Sequence, residues 1–205
     1  MSGVRQQPQP YVGGAAALAQ VRDEIVPALV AAFGDDVVPL ETPFEQPQVQ
    51  VAPGQLAAVA RWLKDRGFNM LVDVGGVDYL PRTPRFEVVY HLLALPQLWR
   101  LRLRVPVEED EAEVPTVSDV WPSAAAAERE VWDLFGIRFA GHPNLSRILM
   151  PDDWVGHPLR KDYPLQGPRA KLPAHAAERN RYHAPKLPGD PPGTAGLPGG
   201  AKGGK

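Results

Sequence analysis

Leu18, Val21, Ile25, Leu29 and Phe33 recur at three- and four-residue steps, a spacing that predicts an amphipathic helix over residues 15–33. Pro27 falls inside that pattern and removes a backbone donor, so the helix should kink or restart there. Two short runs, 37–41 and 48–52, read as strands. Pro53 and Gly54 then open a second helix that reaches about residue 66, with Leu56, Val59, Ala60 and Leu63 on its apolar face and Gly67 as its cap. The period changes from here on. Residues 68–74 form a strand candidate ending at Gly75-Gly76, followed by strands at 86–93 and 99–105. In the last of these, Trp99, Leu101, Leu103 and Val105 alternate with Arg100, Arg102 and Arg104, as in an antiparallel strand with one buried and one wet face. The link at Pro96 suits a hairpin. The order of elements indicates an α+β fold, with helices packed on a mainly antiparallel sheet.

Residues 106–114 carry Glu108, Glu109, Asp110, Glu111 and Glu113 and read as a solvated acidic loop without a specific role. A further helix is expected over 119–136, with Ala124, Ala127, Val131, Leu134 and Phe135 as its stripe. Arg129 and Asp133 lie one turn apart on it and are expected to pair, and Gly136 is placed to end it in a left-handed cap. Two Gly-His-Pro units follow, Gly141-His142-Pro143 and Gly156-His157-Pro158. Each is a turn, because Gly tolerates positive φ and Pro drives the preceding His toward extended geometry. This stretch is therefore expected to be a structured loop laid over the domain, held by Leu145, Ile148, Leu149 and Trp154. Arg160, Lys161 and Asp162 then present two cations and an anion on an extended segment ending at Pro164. In the isolated chain, the strip around Trp132 and Phe135 is the expected exposed apolar patch.

Charge and composition refine the picture at the ends. Residues 1–165 hold 15 Lys/Arg against 22 Asp/Glu, a net −7, whereas residues 166–205 hold 7 against 2, a net +5. The tail also has seven prolines and eight glycines and almost no apolar period. Such a segment is expected to be disordered in the free chain, with 172–187 as a strap that docks on an anionic neighbour. Residues 1–14 are expected to be loose, which leaves 15–165 as the folded domain. The basic tail lacks the Lys/Arg density and interleaved aromatics of a nucleic-acid binder. The chain has no cysteine, which rules out disulfides, thiolate zinc and a cysteine-held iron–sulfur cluster within it. No apolar run approaches the roughly 20 residues of a membrane span, and no signal peptide is evident.

The run EREVWDLFGIRFAGHPNLSRILMPDDWVGHPLRKDYP, residues 128–164, resembles the signature of the 30 kDa subunit family of respiratory NADH:quinone oxidoreductase (complex I). A looser likeness extends over about residues 55–165. The resemblance implies a compact α+β subunit of the peripheral arm with no catalytic site of its own and no bound cofactor. FMN and iron–sulfur clusters in partner subunits would carry electrons from NADH to quinone, coupled to proton translocation. The implied partner is the quinone-site subunit of the 49 kDa type, on the cytoplasmic side of the bacterial membrane, with membrane attachment only through the complex. On this reading Glu128, Arg129, Glu130 and Asp133 order the helix and its partner surface, and Gly136 ends it. Gly141, His142, Pro143, Gly156, His157, Pro158 and Pro164 shape the loop. Arg147, Arg160, Lys161 and Asp162 are candidates for intersubunit ion pairs. The chain departs from the family pattern at Ala124–Ala127, where relatives carry Asn and an aromatic. It also has Asn144 where Asp is commoner and Ser146 where Arg is commoner.

Two rival readings have different chemistry. Similar subunits occur in membrane-bound hydrogenase-type and ferredoxin-linked complexes. A metal-dependent hydrolase would need His142, His157, Glu130, Asp152 and Asp153 to converge. Against it, the histidines lack helical i, i+4 spacing and no His-Glu-x-x-His motif is present.

Overall fold

Pro27 cannot donate to the helical ladder, and the first helix accommodates it with a wide turn. In the structure, a computed structural model describing residues 14–41 and 46–164, α1 (Gly14–Gln20) runs into a π turn at Val21–Ile25 and continues as α2 (Val26–Phe33). The Val26 N–H bonds back to Val21 O, and Pro27 falls in the first turn of α2, where its missing donor costs least. The restart expected at Pro27 therefore takes the form of a π turn. The expectations for the N-terminus through residue 13 and for the tail 166–205, with its strap at 172–187, lie outside the described residues.

The elements that follow are β1 (Val37–Leu40), β2 (Gln48–Val51), α3 (Leu56–Asp65), β3 (Met70–Asp78), β4 (Phe86–Ala94), β5 (Trp99–Val107), β6 (Glu113–Pro115), α4 (Ala124–Phe135) and β7 (Arg138–Ala140). Five strands form one sheet in the order β1-β2-β5-β4-β3. Only the β2–β5 pair is parallel, so the sheet is mainly antiparallel as the alternating pattern implied. β6 and β7 form a separate parallel pair. The core lies between one sheet face and the helices. Leu101, Leu103 and Val105 from β5 and Val88, Tyr90 and Leu92 from β4 meet Leu56, Val59, Ala60 and Leu63 of α3 there. Each buried Val or Leu among them contributes about 1.5–3 kcal/mol of transfer free energy.

Three boundaries differ from the sequence reading. β3 does not end at Gly75-Gly76 but passes through the pair to Asp78. The physical reason is Phe135 of α4: a Cβ on Gly76 would lie 2.6 Å from the Phe135 ring, so glycine here lets the helix lie close on the strand. The acidic loop is shorter than expected, because Pro106 and Val107 extend β5 and Glu113 opens β6. Finally, α4 begins at Ala124 rather than near 119. The preceding turn folds onto Val117 O, and the Trp121 indole N–H is drawn inward to Phe68 O at 2.9 Å.

The two adjacent glycines make a controlled comparison. Gly76→Ala should lower stability by about 1–3 kcal/mol through overpacking against Phe135. Gly75→Ala, with nothing within 4 Å of its would-be Cβ, should change it by no more than about 0.5 kcal/mol. Urea midpoints of the two variants test this, and equal midpoints would contradict the close packing.

Candidate subunit interface

A helix leaves its last four carbonyls without intrahelical donors. In α4 these belong to Trp132, Asp133, Leu134 and Phe135, and every one is satisfied. Gly136, at φ 76°, donates its N–H to Trp132 O at 2.8 Å. His157 Nδ1 lies 3.0 Å from Asp133 O, and Arg147 Nη1 donates to the same oxygen at 3.3 Å. The Leu159 N–H reaches Leu134 O at 3.0 Å, and Arg160 Nε reaches Phe135 O at 2.6 Å. Apart from Gly136, all the donors come from the loop 141–164. Arg147 and Arg160 also place positive charge at the negative end of the helix dipole. Gly136 is needed twice over. Its conformation suits glycine, and a Cβ there would lie 2.5 Å from the His157 ring and 2.7 Å from Arg160 Nη2.

Asp133, fully buried, grips the same loop by its side chain. Oδ2 accepts the backbone N–H groups of Ile148 at 3.0 Å and of Leu149 and Met150 at 2.8 Å, while Oδ1 accepts from Arg147 Nη1. Burial alone would raise the pKa of this carboxyl. The Met150 N–H, the Arg147 guanidinium and the Leu149 and Ile148 N–H groups outweigh burial and hold it below the ordinary aspartate value. The second amino group of Arg147 donates to Trp154 O at 2.8 Å and Gly156 O at 3.1 Å. The expected one-turn pair Arg129–Asp133 does not form. Arg129 donates instead to Ser146 O and Oγ, each at 3.0 Å, and to Arg147 O at 2.8 Å. The loop offers both side chains partners with better geometry than they offer each other.

A second anchor lies at the β3–β4 hairpin, and it was missed in the sequence. Arg85, only 4 % exposed, donates from Nε and Nη2 to Asp78 at 3.1 and 2.9 Å. It also donates from Nη2 to Asp162 at 2.6 Å and from Nη1 to Glu109. Asp78 additionally accepts the Lys161 N–H at 2.8 Å. Burial would raise the Asp78 pKa, but Arg85 and the Lys161 and Leu80 N–H groups drive it far below the usual range. The signal was available: opposite charges bracket a Pro-rich hairpin turn. The acidic run thus has one structural member, Glu109, that the sequence reading left without a role.

The first Gly-His-Pro unit ties down the other end of α4. His142 Nε2 lies 2.9 Å from Ala125 O, and Nδ1 accepts the Asn144 N–H at 3.1 Å. Glu128 is fully buried and points inward, not toward a partner surface. It accepts from the Val117 N–H at 2.8 Å and from the Thr116 hydroxyl, and burial raises its pKa. At the second unit, Tyr163 stacks where a Cβ on Gly156 would lie, 2.8 Å from its ring, and its hydroxyl donates to Val155 O at 3.1 Å. Gly141 takes a φ of 79°, and Pro143, Pro158 and Pro164 lie at or near the surface of the loop.

Arg147, His157 and Arg160 turn inward to α4, while the loop turns several apolar side chains outward. Ile148, Leu149, Val155 and Leu159 are 42 %, 54 %, 64 % and 52 % exposed. Ile148 and Leu149 are thus not the hydrophobic anchors expected of them; their N–H groups hold the loop while their side chains face solvent. Leu145 does pack on the core. The expected patch at Trp132 and Phe135 is instead half covered, Trp132 by His157 and Arg147 and Phe135 by Gly76. Arg147, Arg160 and Asp162, expected to bridge subunits, find partners within the chain, and Lys161 Nζ reaches Leu80 O at 3.5 Å. Glu130 is exposed. The hydrolase constellation does not assemble. His142 and His157 bind opposite ends of α4, and among the described residues no three His, Asp or Glu side chains converge as a metal site would require.

Residues 49–169 match the family described as respiratory-chain NADH dehydrogenase, 30 Kd subunit. The chain is 52% identical over 121 residues to the C-type NADH-quinone oxidoreductase subunit of Geotalea uraniireducens (strain Rf4), covering 58% of this chain and 74% of that protein. It is 46% identical over 149 residues to a C-type NADH-quinone oxidoreductase subunit of Rhizobium etli (strain CIAT 652), covering 71% and 79%. Among solved structures, it is similar to a trypsin-resistant fragment of Nqo5 with a TM-score of 0.55 and 36% identity, covering 60% of this chain and 98% of the fragment. A chain in the structure of the membrane-bound sulfane sulfur reductase, an archaeal respiratory membrane complex, shares the fold with a TM-score of 0.61 at 22% identity, covering 86% and 98%.

Removing the Asp133 carboxylate leaves three amides without their acceptor and a largely buried guanidinium without its counter-charge. Asp133→Ala should cost about 3–5 kcal/mol, with selective loss of hydrogen-exchange protection at Ile148, Leu149 and Met150. The pH dependence has a defined sign. Asp133 and Asp78 are both held below 3.8, so the unfolded chain takes up their protons first. Their stabilisation is complete above that pH and is lost as pH falls through the folded-state values. Wild type should therefore lose more stability between pH 5 and pH 3 than Asp133→Asn does, measured by urea unfolding at both pH values.

Proposed function

The chain belongs to the 30 kDa subunit family of respiratory-chain NADH dehydrogenase, and from this premise we propose that it is a docking subunit without a catalytic site of its own. As a subunit of NADH:quinone oxidoreductase it works within a membrane-associated complex, and none of its described helices is long and apolar enough to cross a membrane. On this proposal it holds neither FMN nor iron–sulfur clusters. Those groups, in other subunits, carry electrons from NADH to quinone in a machine coupled to proton translocation. The partner is the 49 kDa-type subunit of the quinone site, met on the cytoplasmic side of the membrane.

One observation carries the reading. The loop 141–164 is anchored to α4 through Arg147 and Arg160 and to Arg85 through Asp162, and it leaves Ile148, Leu149, Val155 and Leu159 exposed on that support. Apolar side chains fixed in this way cost little further ordering entropy when a partner covers them.

A tagged full-length chain recovered from membranes in mild detergent tests this. Wild type should bring down flavin- and cluster-bearing chains with NADH:quinone activity. Leu149→Asp combined with Val155→Asp, at two sites more than half exposed, should leave the thermal midpoint near wild type while recovery of the quinone-site partner falls about tenfold or more. Undiminished recovery would remove this loop as the docking surface. A partner set without an NADH-oxidising chain would move the protein to a hydrogenase-type or ferredoxin-linked complex.

A further inference from the structure

The five-stranded sheet buries only one face in the described structure. On β4, Phe86, Val88, Tyr90, Leu92 and Ala94 are buried, while Val89, His91 and Leu93 between them stay half exposed. The strand register places rows of side chains across this open face. Arg102 lies opposite Gln48 on one side and His91 on the other, and His91 lies opposite Asp73. Neighbouring rows run from Arg104 to Val89 and from Arg100 to Leu93.

The three arginines of β5 differ in how they are compensated. Arg104 donates to Glu87 at 2.9 Å and to the Tyr79 hydroxyl at 3.2 Å. Among the described residues, Arg100 and Arg102 form no ion pair. Arg102 Nε is buried without any hydrogen-bond partner. Asp73, the carboxylate in its row, is separated from it by the His91 ring and accepts the Val74 N–H at 2.9 Å. Burial and the Arg102 charge both favour the neutral form of that ring. A guanidinium donor buried without an acceptor is costly, and a carboxylate from outside would relieve it with bidentate geometry. Val72, 51 % exposed at the β-bulge between Leu71 and Asp73, adds an apolar margin to the face.

We propose that this open sheet face is a second docking surface, which takes a carboxylate-bearing segment of a neighbouring subunit. Asp or Glu side chains of that segment pair with Arg100 and Arg102, and its apolar residues lie on Val72, Val89 and Leu93. The inference rests on the reading of the chain as a subunit of a larger complex. The chain's own tail has the wrong sign for this place, with seven Lys/Arg against two Asp/Glu over residues 166–205.

The test uses the full-length tagged protein inside the complex in membranes. Arg100→Lys and Arg102→Lys variants each supply an amine that a carbodiimide couples directly to a carboxylate in contact with it, and mass spectrometry identifies the joined peptides. The expected product links position 100 or 102 to an Asp or Glu of a different subunit. In parallel, Arg100→Glu, at an exposed site, should fold with an unchanged thermal midpoint yet be retained in the complex about tenfold less than wild type. Cross-links only to this chain's own carboxylates or to a second copy would overturn the proposal. So would an intact complex with no cross-link and wild-type retention of Arg100→Glu. Failure of the wild-type chain to co-purify with any partner would instead overturn the functional reading itself and this inference with it.

Discussion

The C-terminal end of α4 must have its four free carbonyls and the buried Asp133 carboxylate satisfied, and the rest of the site is arranged around that requirement. The donors are two guanidiniums, an imidazole and four backbone amides, contributed by residues 147–160, and Gly136 adds the one donor next to the helix. The loop has no helix or strand of its own, so its shape is set by what it must donate to. A long irregular segment inside a compact domain is usually functional, and this one is fixed at both ends, by α4 and by Arg85.

That arrangement departs from the usual distribution of side chains at several positions. Charged groups of the loop and its anchors, Asp133 and Arg147 and the Asp78–Arg85 pair, lie at low exposure. Apolar groups, Leu149, Val155 and Leu159 among them, stand in solvent. Buried ion pairs are poor sources of net stability but penalise alternative arrangements, because each partner left alone is expensive. Their value here is positional: they hold an apolar surface in one conformation before a partner arrives. The sheet contributes in a different way. Its helical side supplies the core, and its open side carries a row of cations that β5 alone cannot neutralise.

The sheet order, with β2 inserted parallel beside β5, was outside the reach of any local pattern, because strand pairing depends on which edges meet after collapse. Element types were a different matter. The helical spacing of Leu56, Val59, Ala60 and Leu63 and the alternation from Trp99 to Val105 both report burial by one face, and both elements are present. Gly75-Gly76 misled, since a glycine pair reads as a terminator unless the ring lying over it is known. The Gly-His-Pro turns and the charged run stand out in the sequence, but the groups they bind do not. Arg129 and Asp133 looked like a pair on helical spacing alone.

What the sequence by itself determined is therefore local and periodic: the α+β class, the positions of most helices and strands, the two turns, the separation of an acidic body from a basic tail, and a family signature carried by contiguous residues. What only the tertiary structure decided is the pairing of polar groups distant in the chain, such as Arg85 with Asp162 across 77 positions, and with it which side chains remain outside. The reason is physical. Hydrophobic periodicity records whether a residue is buried, which a short window of sequence can express. A buried charge must instead find a specific donor or acceptor at hydrogen-bond distance, and only the folded chain brings such partners together.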